Sequence, residues 1–259
     1  MPDASNPTPA AHREVYLDYA AATPMAPEVV EAMLPYLSDR FQNPSAPYAS
    51  ARAANRDLED ARARLAHAIG ARPANVTLTA GATEANNLAL AAVDGEVLVC
   101  ATEHESVLAA AEVRAHRLIP VGPDGRVDPA EVARAITPET ELVSVALANG
   151  EVGAIQPIRQ IAQVVRRERE RRLAGGEERP ILLHTDASQA AGYCSVNVSS
   201  LGADLMTVSA AKLYGPKQVG LLWSADGIRL RPLVLGGGQE GGVRSGTQNV
   251  AGAVAFARA

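Results

Sequence analysis

Lys212 lies in the segment "TVSAAKLYGPKQVGLLW" (207–223), between small residues on one side and an aromatic-Gly-Pro turn on the other. Lysine is rarely buried unless it is paired or used chemically. Two readings follow: an amine on a turn that points at water, or an amine desolvated by apolar neighbours, with a lowered pKa and the reactivity of a Schiff-base nucleophile. Three other short stretches carry groups that bear on the choice. "TLTAGATEANN" (77–87) runs from a strand through Gly81, Ala82 and Thr83 into a helix. A helix N-terminus presents free N–H groups, so this turn is either an anion cup to which Thr83 adds a hydroxyl or an ordinary capped strand-to-helix turn. "CATEHESVL" (100–108) sets His104 just past a strand, and "LLHTDASQAAG" (182–192) sets Asp186 at the end of an apolar strand with Gln189 three residues on. A carboxylate in that position is costly unless a cation or donors meet it. Ser209 ends a further short strand, and Lys212 follows it.

The elements that position these groups follow from periodicity. Strand-length apolar runs at 75–80, 96–101, 116–121, 141–147, 180–186, 203–209 and 219–223 alternate with helical patterns at 27–39, 49–70, 83–93, 105–115, 128–136 and 157–172. That alternation predicts an α/β fold, a mostly parallel sheet with helices on both faces. Ligands of such sheets collect at the carboxyl ends of the strands, where all four polar stretches fall. The mixed-sign run "RRERERRLAGGEER" (166–179) reads as a solvated helix end followed by a loop.

Composition removes several classes of function. The 259 residues carry 24 basic and 29 acidic side chains, a net charge of −5, which offers no general attraction to nucleic acid or anionic membranes. No window reaches the apolar run of about 18 residues that a membrane span needs. Two cysteines far apart, Cys100 and Cys194, make no disulfide framework, and a reducing cytoplasmic setting is expected. With His104 they lack the ligand-pair spacing of a structural zinc site. "GGGQEG" (236–241) matches the dinucleotide-binding glycine pattern but comes late in the chain and leads into "VRSGT", so a loop near a subunit interface accounts for it better.

One cofactor uses all four strand ends together. Pyridoxal 5'-phosphate has a dianionic phosphate, a ring nitrogen that must stay protonated, and an aldehyde that condenses with an amine. The anion cup and Ser209 suit the phosphate, Asp186 the ring nitrogen, Gln189 the phenolic oxygen, His104 the ring face and Lys212 the aldehyde.

The chain resembles the cysteine desulfurase family of class V aminotransferase-like, fold-type I enzymes. The resemblance rests on "VYLDYAAATPMAPEVVEAMLPYL", "NPSAPYASARAA", "TAGATEANNLAL", "EHESVL", "NGEVGAIQPI", "HTDASQAAG", "SAAKLYGPKQVG" and "GGGQEGGVRSGTQN". It implies a fold-type I large domain over residues 15–259 after a tail at 1–14, in a homodimer. Lys212 is implied to hold the cofactor and shuttle the Cα proton, with His104 stacked on the ring and, as a second catalytic residue, helping in proton transfer. Ala82, Thr83 and Ser209 would hold the phosphate, and Thr247 would reach the phosphate of the neighbouring subunit. The implied reaction converts L-cysteine to L-alanine and leaves sulfur as a persulfide on an enzyme cysteine. From there it would pass to an acceptor protein, in sulfur metabolism and iron–sulfur cluster assembly.

The sequence departs from the family pattern in three places. Ala211 stands where the family usually has histidine, and Gly150 stands where it has the second asparagine of Asn-Asn-Glu. The sequence also reads as ending inside a helix, short of the family's smaller C-terminal domain with its persulfide cysteine and substrate-gripping arginine. Neither Cys100 nor Cys194 aligns with that nucleophile. Impaired turnover is the expectation for this chain alone. The alternatives are a non-catalytic cofactor-binding or partner-binding remnant, and another class V activity such as selenocysteine lysis or transamination.

Overall fold

The computed structural model describes residues 15–259; the tail expected at 1–14 lies outside the described residues. Seven strands form one sheet: β1 (Val76–Thr79), β2 (Glu96–Cys100), β3 (His116–Ile119), β4 (Thr140–Ser144), β5 (Leu182–Asp186), β6 (Leu205–Ser209) and β7 (Gly220–Ser224). Their order across the sheet is β1-β7-β6-β5-β4-β2-β3. All neighbours are parallel except β7, which runs antiparallel to both β1 and β6. The β6–β7 link needs no crossover helix, which is why the short strands around Lys212 can follow each other directly.

The described helices are α1 (Pro27–Met33), α2 (Pro35–Ser38), α3 (Ala49–Ala68), α4 (Ala82–Leu90), α5 (Glu105–Glu112), α6 (Pro129–Ala135), α7 (Ile158–Ala174), α8 (Val198–Leu201) and α9 (Val250–Arg258). The strands are apolar on both faces because both faces are covered. Leu98, Cys100, Val143, Leu183, Met206 and Leu221 pack on one side with Leu65 of α3, Val132 of α6 and Ile161 of α7. Val97, Val99, Leu142, Leu205 and Leu222 pack on the other with Leu88 of α4 and Val107 of α5.

Two expectations are corrected. The single helix expected over 27–39 is two, α1 and α2, because Pro35 brings no N–H to the helical ladder and opens a new first turn. The charge run at 166–179 is not wholly solvated: Arg172, on α7, is 1 % exposed. Its Nε donates to Glu168 Oε1 at 2.7 Å, Nη2 to the Thr137 carbonyl at 2.9 Å and Nη1 to the Pro180 carbonyl at 3.1 Å. One guanidinium thereby closes the carbonyl ends of the segments leading into β4 and β5, which leucine-type burial could not do.

Register brings the polar strand ends into line. Ser144 pairs with His184, Asp186 with Thr207, and Ser209 with Gly220, which in turn lies opposite Thr79. The carboxyl ends of β1, β2, β4, β5 and β6 therefore share one edge of the sheet, and the helices α4 and α5 begin there.

Candidate functional site

A cavity of about 680 Å³ opens along that edge. Ala82, Thr83, His104, Asp186, Gln189, Ser209 and Lys212 all line it. Thr247 does not. It is exposed and lines a separate cavity of about 250 Å³, shared with Gln218, Glu240 and Arg244.

The anion cup forms where β1 turns into α4. Gly81 has φ 99° and ψ 176°, a conformation that a side chain would strain, and α4 starts with no side-chain cap on its first N–H groups. A Cβ at Gly81 would meet nothing within 4 Å, so it would project into the open space of the cavity. On the opposite side the turn is pressed against β7, where a Cβ on Gly220 would come within 2.7 Å of the Gly81 carbonyl carbon. The two glycines let the helix N-terminus approach the sheet edge. Glu84 closes the back of the turn, accepting from Ala80 N at 2.9 Å while Arg244 Nε donates to it at 2.9 Å. Ser209, largely buried at the end of β6, completes this wall.

Asp186 ends β5 and is 8 % exposed. Oδ1 accepts from Ser188 N and Oδ2 from Asn86 Nδ2, each at 2.8 Å. Asn86 in turn donates to Ser106 Oγ at 2.9 Å, so α4 and α5 both brace the carboxylate. Two residues earlier on β5, His184 is wholly buried between Ser144 Oγ at 2.9 Å and Thr207 Oγ1 at 3.1 Å. Burial pushes its imidazole down to about 4 against the pull of Asp186, so it adds no charge beneath that residue at neutral pH.

His104 is the N-cap of α5. Its Nδ1 accepts from Ser106 N at 3.0 Å and lies 2.8 Å from Ser106 Oγ, which leaves the ring proton on Nε2. Lys212 closes a 3₁₀ turn (Ala210–Lys212) directly after β6. Its Nζ donates to the carbonyls of Ala20 and Ala21 at 2.7 and 2.6 Å. Partial burial pulls the ammonium below the ordinary lysine value, while Asp18, Asp186 and Glu151 oppose that shift. The strap that offers these carbonyls is pinned by Thr23, whose Oγ1 donates to the Ala211 carbonyl at 3.0 Å and accepts from Tyr214 N at 2.9 Å. Tyr214 and Gln218, on either side of "GPK", have φ of 57° and 59°, left-handed values for non-glycine residues in the turn that follows Lys212.

Gln189 lines the cavity, and its Nε2 donates to the Ala20 carbonyl at 2.9 Å. Gly150 is what makes room for it: a Cβ at 150 would lie 2.7 Å from Gln189 Nε2. Glu103, Asn86 and Ser188 were missed by sequence reasoning. Glu103 is adjacent to His104 and Ser188 to Gln189, while Asn86 lies one helical turn after Thr83 on the same face of α4; that spacing was the available signal.

The chain belongs to the aminotransferase class-V family, whose model matches residues 15–259. It is 39 % identical over 259 residues to the cysteine desulfurase IscS of Dictyoglomus turgidum and 40 % identical over 256 residues to cysteine desulfurase IscS 1 of Archaeoglobus fulgidus. These alignments cover 95 % and 94 % of this chain, and the chain spans 63 % and 64 % of the length of those relatives. Among solved structures, SspA in complex with cysteine superposes with a TM-score of 0.87 at 33 % identity, over 93 % of this chain and 71 % of that one.

The cofactor of these relatives is pyridoxal phosphate. The residues present fit it on their own chemistry. The cavity offers an uncapped helix N-terminus beside an open glycine position, an internally braced carboxylate and a partly desolvated amine. Ser188 Oγ, on the cavity wall, is buried without a hydrogen-bond partner among the described residues. Among the described residues no cluster of His, Cys, Asp and Glu could hold a metal ion, and no helix is long and apolar enough to cross a membrane.

Proposed function

We propose that residues 15–259 are the cofactor-binding large domain of a pyridoxal-phosphate-dependent cysteine desulfurase that takes sulfur from L-cysteine and leaves L-alanine. The observation that carries this reading is the meeting of Lys212, Asp186, His104 and the α4 N-terminus on one cavity, from four separate strand ends. When bound, the cofactor supplies an aldehyde for an amino group and a ring that withdraws electrons from the substrate.

The chain's own residues divide the remaining work. Ala82, Thr83 and Ser209 hold the phosphate with N–H and hydroxyl donors at the positive end of α4. Asp186, fixed from two sides, keeps a proton on the ring nitrogen by offering it a negative partner. Gln189 reaches the phenolic oxygen, and the His104 imidazole covers the ring face from the start of α5. Lys212 Nζ holds the cofactor and then takes and returns the proton at the substrate Cα, a role that a lowered amine pKa favours. Thr247, outside the cavity, reaches the phosphate site of a second copy in a homodimer. The acceptor of the persulfide sulfur is a partner protein, with iron–sulfur cluster assembly in the cytoplasm as the pathway served.

The test is spectroscopic and covalent. Protein mixed with pyridoxal phosphate turns yellow, and borohydride reduction followed by peptide mapping places the adduct on Lys212. An adduct on Lys217, or no adduct, overturns the assignment. Neither Cys100 nor Cys194 lines the cavity, so residues 15–259 are expected to release little sulfide from L-cysteine under reducing conditions, and robust release would overturn that expectation.

A further inference from the structure

Glu103 lies between β2 and α5, one residue before His104, and forms part of the cavity wall. It is 6 % exposed. Oε1 accepts from Ala146 N, just past β4, at 2.5 Å, while Oε2 is buried with no partner among the described residues. A buried carboxylate with one oxygen unmet is among the most expensive arrangements a protein can hold. Protonating Oε2 removes the buried charge, and what then stays unmet is one neutral O–H, a far smaller cost than an unmet carboxylate oxygen.

Asp186 makes the contrast. It faces the same cavity with donors on both oxygens, and its charge bears on the Glu103 carboxyl and disfavours ionisation there. When two carboxyl groups share a site, the one with the better hydrogen bonds keeps the charge and its neighbour keeps the proton. The surrounding titratable groups are Cys100 at the end of β2, whose thiol the Glu103 charge would push up, His104 and Glu105 on the same loop and helix, Glu151 after β4, His184 and Asp186 on β5, and Lys212 after β6.

We propose that Glu103 is a neutral carboxylic acid in the folded protein, a positioning residue that ties the His104 loop to β4 and leaves Asp186 as the one buried negative charge facing the cofactor ring. Burial, and then the Asp186 charge, push the Glu103 carboxyl up to about 8 from an ordinary 4.5, in keeping with that geometry. Its role towards the ring rests on the cofactor reading above, but its protonation does not, and the experiment separates the two.

The first arm uses the cofactor-free chain. Infrared difference spectra at pH 6.5 show a protonated carboxyl band in the wild type that is absent from E103Q. E103Q reproduces the neutral acid, so its thermal midpoint matches the wild type below pH 4.5. An acid whose folded value is raised binds a proton on folding, so wild-type stability falls as pH rises from 4.5 towards 8. The E103Q advantage therefore grows across that window and levels off above it. A missing carboxyl band, or a midpoint difference that does not change with pH, overturns the proposal.

The second arm measures pyridoxal phosphate binding from its absorbance. E103Q keeps the wild-type affinity at pH 7, whereas E103A, which frees the His104 loop from Ala146, binds several-fold more weakly. Equal affinity for all three overturns the positioning role. Failure of every variant to bind the cofactor would instead refute the reading of the cavity, with the first arm still deciding the state of Glu103. If E103A does not fold, E103D takes its place, since its shorter side chain cannot span to Ala146 and weaker binding is again expected.

Discussion

Glu240 offers the most quantitative test of how the fold holds its site. Its side chain is 2 % exposed and that of Arg62, on α3, is 9 % exposed. The two meet fork to fork, with Nη1 to Oε2 at 2.6 Å and Nη2 to Oε1 at 2.8 Å. Arg62 Nη1 also donates to the Val76 carbonyl at 2.9 Å, and Leu78 N donates to Glu240 Oε2 at 2.9 Å. The pair thus ties the glycine-rich loop before Thr247 to α3 and to β1, a strand at the edge of the sheet. Burial by itself would raise the Glu240 carboxyl, but the hydrogen bonds and charge of Arg62 prevail and lower it. Glu240→Ala strands a guanidinium whose other carboxylate partner, Glu59, is half exposed, and leaves the Leu78 N–H unmet. Breaking a buried pair from one side costs about 3–5 kcal/mol. At roughly 2–4 °C per kcal/mol for a domain of this size, the thermal midpoint drops by about 6–20 °C. The backbone at Glu240 has φ 50°, a strain shared by glutamate and alanine, so it cancels from the comparison. The double variant Arg62→Met with Glu240→Met should recover most of the loss, because removing both charges also removes their desolvation cost. Calorimetry of the wild type, Arg62→Met, Glu240→Met and the double variant gives the coupling directly. A loss below about 1 kcal/mol for Glu240→Ala, the range of an exposed surface pair, would refute the reasoning.

Two further outcomes are expected. His184 is depressed to about 4 from 6.5 in the folded chain, so the unfolded chain binds more protons between those values. Its contribution to stability is therefore intact above pH 6.5 and lost as pH falls towards 4, and His184→Gln should flatten that part of a denaturation-versus-pH curve. Gly150→Ala drives a methyl into the Gln189 amide and breaks its bond to Ala20. If Gln189 reaches the cofactor, affinity for pyridoxal phosphate falls by about 2- to 12-fold, the worth of one net hydrogen bond of about 0.5–1.5 kcal/mol. Equilibrium titration checks it, and unchanged affinity would remove Gln189 from the site.

Most of the fold was legible because local pattern and tertiary demand agree. The central strand runs are rich in β-branched and aliphatic residues, as a doubly covered sheet requires, while the edge strand β3 carries His116 and Arg117. The helix at 27–39 was misread because its apolar spacing continues through Pro35, and the charge run was misread because a buried arginine has the same local signature as an exposed one. Arg172 meets Glu168 and Pro180 within eight residues, but its bond to the Thr137 carbonyl spans 35 residues, which no local window of sequence contains.

The candidate site divides along the same line. Residue types and the strand–helix rhythm, by themselves, determined that Lys212, Asp186, His104 and the Gly81 turn stand at strand ends, because periodicity and turn chemistry are local properties. Only the tertiary structure decided that these ends share one cavity and that Thr247 lies outside it. It alone placed the Gln189 amide against Gly150 and left one oxygen of Glu103 unmet beside a fully bonded Asp186. Burial and partnership depend on strand order and register, and it is the pairing of β5 with β4 and β6 that turns two ordinary acidic residues into a pair with unequal claims on a proton.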